Sequence, residues 1–245
     1  MILIVGSTHD DILYFESVMA NKKTEVLFDI YPLQFGTIFN QEVVLAYDIY
    51  TSYLSALITS YIIQKYFVVL VFVVGKCVSF NKDDVKPGEI VVSRRVILGD
   101  VDQVRETNVK LGQIPHLPRS LESSEEVIGY ISSALEKRSF SKYDVATFIS
   151  TNGIFDKTEK INHLIMNDYV LGHKNNVVFD CLSGGAFLSA TIHKIPVVAV
   201  KVCEKVVDEP STAESYITVL KQFSSVGRAV VTCIGDIGRN DFIKE

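Results

Sequence analysis

Asn175–Glu209, NNVVFDCLSGGAFLSATIHKIPVVAVKVCEKVVDE, reads as a buried strand, a helix and a second buried strand, with a polar segment leaving the end of each strand. Val177–Phe179 and Val197–Val202 are continuous apolar runs, the pattern of strands covered on both faces. Ser183–His193 between them opens with small residues and reads as a helix; close packing on the sheet explains Gly184-Gly185 better than a phosphate loop, because the G-x-G-x-x-G frame is missing. In an open α/β sheet, ligands sit beyond the carboxyl ends of the strands. Asp180, Cys181 and Ser183 follow the first strand, and Glu204, Lys205 and Asp208 follow the second.

The same alternation runs outward in both directions. Ile2–Val5 closes at Gly6 and is followed by apolar residues at helical spacing from Ile12 to Met19. Thr8 with Asp11 three residues on fits a capping box. Leu27–Ile30, Gln34–Phe39 and Glu42–Ala46 read as a β-meander, Thr51–Lys65 as an amphipathic helix and Phe67–Val74 as a buried strand ended by Gly75. Further strands are expected at Glu89–Val96 and Val145–Ser150, and helices at Leu121–Lys137, at Asp156–Met166 and from Ser211 at least to Phe223, capped by Ser211 or Thr212. Leu98–Pro118 is a long polar connection, a functional loop or an interaction arm. This order predicts one α/β domain over residues 1–245: a three-layer α/β/α architecture with a central mixed β-sheet.

Composition excludes several classes. Across 245 residues, 48% are apolar and 22% charged, the balance of a folded globular chain. The 24 Lys and Arg are scattered and the net charge is −5, so there is no electrostatic footprint for nucleic acid. Leu54–Val74 is apolar but interrupted by Gln64-Lys65, which argues against a membrane span. Cys77, Cys181, Cys203 and Cys233 lack metal or disulfide spacing, and His9, His116, His163, His173 and His193 form no ligand pattern. No metal, no other cofactor and a cytoplasmic location are expected.

Several local motifs, in order, resemble the nucleoside phosphorylase/hydrolase superfamily, and within it the 5′-methylthioadenosine/S-adenosylhomocysteine nucleosidases. The Ile2–Val5 strand with Gly6 and an acidic helix start is similar to that family's N-terminus. Val85-Lys86-Pro87-Gly88-Glu89-Ile90-Val91-Val92-Ser93 is similar to its K-x-G-D-I-V-V-S signature, and Gly112-Gln113-Ile114-Pro115-His116-Leu117-Pro118 to its G-Q-x-P-x-x-P loop. The resemblance implies hydrolysis of the N-glycosidic bond of an adenine nucleoside, two carboxylates moving the protons, a nucleoside ligand and a homodimer. Each positioned acid or base contributes about 10²–10⁴-fold to such a reaction. It also implies that β-branched Ala229–Ile234 continues the C-terminal helix, against local propensity.

Set against that pattern, the water-activating carboxylate falls on Asp11, one methylene shorter than glutamate. The V-E-M-E-A motif falls on Phe179-Asp180-Cys181-Leu182-Ser183: Asp180 keeps the first acid, Cys181 replaces methionine, and Leu182 replaces the ribose-binding glutamate. The catalytic aspartate falls on Lys205, where an ammonium is a poor match for acid catalysis without strong desolvation. A one-residue shift would bring Glu204 there, and Asp208 is a further acid; Glu204-Lys205 otherwise reads as a solvated ion pair on a loop. Lys76 stands where the family has a small base-contacting residue, and Ile154-Phe155 matches the pair flanking adenine. Three readings stand: a homologue of adenine-nucleoside metabolism with hydrolysis lost or altered that still binds a nucleoside, an active purine nucleosidase using Asp11 with Glu204 or Asp208, and a non-catalytic structural or regulatory homodimer whose pocket is filled by side chains such as Leu182 and Tyr50.

Overall fold

The computed structural model describes residues 1–101, 109–137, 143–153 and 176–239. Ile154, Phe155 and the helix expected over Asp156–Met166 lie outside them.

In chain order the described elements are β1 (Ile2–Val5), α1 (His9–Val18), β2 (Ala20–Leu27), β3 (Tyr31–Ile38), β4 (Gln41–Ala46), α2 (Ser52–Tyr66), β5 (Leu70–Ser79), β6 (Ile90–Leu98), β7 (Leu121–Glu122), α3 (Glu125–Glu136), β8 (Tyr143–Ser150), β9 (Val177–Asp180), α4 (Ser183–His193), β10 (Val197–Val206) and α5 (Ala213–Arg239). All but the short β7 lie on one continuous path, in the order β10-β6-β8-β9-β5-β1-β4-β3-β2, and β10 also pairs with β5. Parallel pairs (β1–β4, β1–β5, β5–β10) coexist with antiparallel ones (β6–β10, β5–β9), which makes the sheet mixed. Five strands, β5, β10, β6, β8 and β9, close on one another into a ring, and β1, β4, β3 and β2 extend from it.

Strand alternation sorts the core into two faces. Ile2, Ile4, Phe72, Val198 and Val200 pack with residues of α1, α3 and α5, including Phe15, Ile131 and Val230. Leu3, Val5, Val71, Val73 and Ala199 pack on the other side with Ile58 and Ile62 of α2 and Phe187 of α4. Hence the layers are helices, sheet, helices, as the sequence predicts. At the α2–α4 contact a Cβ on Gly185 would strike the backbone of Ser52, so the glycine permits the close packing read from the sequence.

Several boundaries differ from expectation. Strand β2 occupies Ala20–Leu27, and residues 28–30 form the turn instead, with Phe28 and Asp29 at positive φ. That strand is an almost wholly exposed edge, so it carries no apolar alternation to read. Strand β5 runs through Gly75 to Ser79, because pairing with β10 continues past the glycine. Leu121–Glu122 pairs with β6 as a strand, and the helix begins only after the Ser124 cap. Ala229–Ile234 is helical within α5, whose buried face includes Ala229, Val230 and Ile234. Here tertiary burial outweighs β propensity.

Candidate functional site

Strand β5 changes partner along one edge. Its first half, Leu70–Val73, runs parallel to β1, and its end, Val78–Ser79, runs antiparallel to β9. Between these pairings lie Val74, Gly75, Lys76 and Cys77, a switch point of the kind that leaves a crevice in α/β sheets. A cavity of about 480 Å³ opens there. Its walls include Ser7 and Thr8 after β1, Tyr50 before α2, Lys76, Cys77 and Val78 of β5, Phe179, Asp180 and Cys181 at the end of β9, and Lys201, Glu204 and Lys205 of β10. Volumes of about 300–1,000 Å³ with mixed polar and apolar walls suit small molecules.

Asp11 stands behind the first of these walls. Its Oδ2 accepts hydrogen bonds from the backbone N–H groups of Ser7 at 2.7 Å and Thr8 at 2.9 Å, the carboxylate half of the expected capping box. Only 3% of the residue is exposed, and Oδ1 is buried without a hydrogen-bond partner. Burial pushes its carboxyl above the usual range, against the opposing pull of the Thr8 hydrogen bond and the Lys201 charge. Gly75 makes room for this group: its φ is +130°, and a Cβ there would sit 2.9 Å from Asp11 Oδ2.

The floor of the site is an ion pair that the sequence reading missed. Lys201 Nζ lies 2.6 Å from Asp180 Oδ2, with each side chain 1% exposed. Ser183, at the start of α4, donates to the same oxygen from its hydroxyl (2.5 Å) and its backbone N–H (3.0 Å). Burial works against both charges, but their attraction and hydrogen bond, joined at Asp180 by hydrogen bonds from Ser183 and Ser150, together outweigh it, holding Asp180 below the usual carboxylate range and Lys201 above that of lysine. The available signal was one lysine inside the apolar run VVAVKVC, which requires a buried partner.

Other assignments from the sequence need revision. Glu204 and Lys205 lie on β10 rather than on a loop. Cys203 pairs with Cys77 and Lys205 with Val78, so Glu204 is the extra residue of a β-bulge. Across the strands Glu204 faces Lys76 Nζ at 3.6 Å. Asp208 is exposed, at φ +66°, and is not part of the cavity wall. Leu182 is fully buried among apolar residues and Tyr50 is exposed at the cavity, so neither fills it. Cys181 and Lys205 both line the open space, which counts against the filled-pocket reading. Among the described residues, no cluster of three or more His, Cys, Asp or Glu is placed to hold a metal, and no helix is long and apolar enough to cross a membrane.

With this geometry in view, comparison with known proteins places the chain. The phosphorylase superfamily pattern matches residues 1–234, and the chain belongs to that family. Among solved structures it is similar to the 5′-methylthioadenosine/S-adenosylhomocysteine nucleosidase from Neisseria meningitidis in complex with methylthio-immucillin-A (TM-score 0.84, 18% identity, covering 96% of this chain and 98% of that one). It is also similar to the nucleosidase from Colwellia psychrerythraea in complex with adenine (TM-score 0.84, 17% identity, 96% and 94% covered). A third likeness is to futalosine hydrolase of Helicobacter pylori (TM-score 0.83, 18% identity, 96% and 97% covered). No curated protein matches in sequence.

Proposed function

We propose that the cavity binds a nucleoside-like small molecule and that N-glycosidic hydrolysis is lost or altered in this chain. The observation that carries this reading is an open cavity with Lys205 on its wall while the retained carboxylate, Asp11, stands behind Ser7 and Thr8. A displaced purine needs a proton, and the attacking water needs a base. Asp11 has the burial, the raised affinity for a proton and the unpartnered oxygen of a general base or acid. Lys205, half-buried on the cavity wall, stands where the family resemblance places the catalytic aspartate. Solved nucleosidases of this fold in complex with methylthio-immucillin-A or adenine support the ligand class.

Incubation with 5′-methylthioadenosine, S-adenosylhomocysteine, adenosine and inosine, assayed for free base, tests the proposal. The expected result is base release slower by about 10²–10⁴-fold than ordinary enzymatic turnover, the loss that follows removal of one positioned acid. Thermal stabilisation by at least one of these nucleosides is expected. Adenine release at an ordinary rate, abolished by Asp11→Asn, would overturn the loss of catalysis. One observation favours that second reading of an active purine nucleosidase: Glu204 lines the cavity and supplies a second carboxylate there.

Self-association as a homodimer, in a reducing cytoplasm, completes the proposal. Tyr53 and Leu57 of α2 and Ile192 of α4 are exposed apolar residues on two helices packed together, and all four cysteines are free. Sedimentation velocity that shows only monomer at micromolar concentration would refute the dimer.

A further inference from the structure

We infer that the ligand of this cavity carries an oxyanion, a phosphate or carboxylate, held by the ammonium groups of Lys76 and Lys205. The inference rests on the small-molecule reading above and names the chemistry of that molecule. The cavity walls carry three lysines, Lys76, Lys201 and Lys205, together with the acids Asp180 and Glu204. These lysines are not equivalent. Lys201 is committed to Asp180 at 2.6 Å in full enclosure, and removing either partner would leave a buried charge alone. It is a structural cation, not a receptor.

Lys76 is held quite differently. Its contact with Glu204 is 3.6 Å long, with side-chain exposures of 32% and 18%, the kind of solvent-reached pair that contributes little. A ligand oxyanion can replace the Glu204 carboxylate there with small loss. The Tyr216 ring lies 5.5 Å from Lys76 Nζ, and the Tyr216 hydroxyl is tied to Asp10 at 3.0 Å. The aromatic face therefore steadies the ammonium at the cavity wall. Lys205 rises from the neighbouring strand, paired with Val78 two residues along β5 from Lys76, and the bulge at Glu204 separates its register from Cys203. Both lysines line the same space as Tyr50, Val78, Phe179 and Cys181. The walls thus offer an apolar surface for a flat ring body and two cations for a group bearing negative charge.

Calorimetric titration of the whole chain with adenosine, adenosine 5′-monophosphate, adenosine 5′-carboxylate and inorganic phosphate tests this. Either charged nucleoside is expected to bind about tenfold or more tightly than adenosine, the gain of one charge-assisted hydrogen bond. That advantage should shrink at high salt, disappear in the Lys76→Met, Lys205→Met double variant and persist in the Lys76→Arg, Lys205→Arg double variant. Equal binding of all three nucleosides by the unaltered chain would overturn the oxyanion while leaving nucleoside binding intact. Binding of phosphate alone would keep the oxyanion and overturn the nucleoside. No binding of any of the four would overturn both.

Discussion

Lys201 Nζ sits 2.6 Å from Asp180 Oδ2 beneath the cavity, and neither side chain reaches solvent. The pair ties β10 to the end of β9, two strands of the closed ring. Because both charges are enclosed, the arrangement should be more costly to break singly than to remove whole. Lys201→Met or Asp180→Asn alone is expected to destabilise the fold by about 3–5 kcal/mol, whereas the double variant should recover much of that loss. Urea unfolding of the four proteins measures the cycle; additive losses would show that the two side chains do not act as a pair.

The titration of this pair and of Asp11 has opposite signs. Asp180 is held below its unfolded value of about 3.9, so its contribution is present above that pH and is lost as pH falls through the folded value. Lys201 is held above its unfolded value of about 10.4, so its contribution is present below that pH and lost as pH rises through the folded value. Asp11 is raised, so its contribution turns against the fold as pH rises past the unfolded value of about 3.9, and the loss is complete once pH passes the folded value. Asp11→Asn keeps an acceptor for the Ser7 and Thr8 N–H groups and removes the charge. The variant is expected to melt higher than the unaltered chain at pH 7, with the difference vanishing below about pH 3.9. A constant difference across that range, read from melting temperatures, would contradict the buried-charge account.

Gly75 offers a steric test of the same site. Alanine there would bring a Cβ to 2.9 Å from Asp11 Oδ2 and hold a side-chain residue at φ +130°. Gly75→Ala is expected to destabilise by about 1–3 kcal/mol from backbone strain alone, and more from the clash. Adding Asp11→Ala should relieve the clash but not the strain, giving partial rescue. Full rescue in chemical denaturation would mean that the backbone conformation contributes nothing.

What could be read in advance follows from how each element is buried. Helix α4 matched its expected bounds, Ser183–His193, because small and apolar residues there lie between two buried strands. The three layers followed from the same alternation. Strand β2 was displaced because Asn21, Lys22, Lys23 and Thr24 are exposed and leave no pattern in the sequence. A glycine after an apolar run looks like a terminator, so the sequence ends β5 before Gly75, whereas the strand runs on and the glycine makes room for Asp11. At the site, the family resemblance points to Asp11, Asp180, Cys181, Glu204 and Lys205 as candidates. It could not show that Glu204 bulges toward Lys76 or that Lys201 turns inward to Asp180, since both depend on the register of β10 against β5 and on its neighbours.

The cysteines give the last test, because burial separates them sharply. Cys77, Cys203 and Cys233 are buried, and only Cys181 is partly exposed while lining the cavity. Burial raises the Cys77 thiol well above its usual value, and burial also raises that of Cys233. For Cys181, burial acts first and the neighbouring Asp180 charge adds to it, so its thiolate forms only at higher pH than usual. A maleimide should therefore modify Cys181 first, slowly at pH 7 and faster as pH rises beyond the ordinary thiol value of about 8.5. Because Cys181 shares its wall with Phe179 and Lys205, a bound small molecule should shield it. Peptide mapping after timed labelling follows each site separately. Labelling of Cys233 at the same rate would show that the fold opens faster than the cavity admits the reagent, whereas selective labelling of Cys181, slowed by the ligand that stabilises the chain, would place that ligand in the cavity.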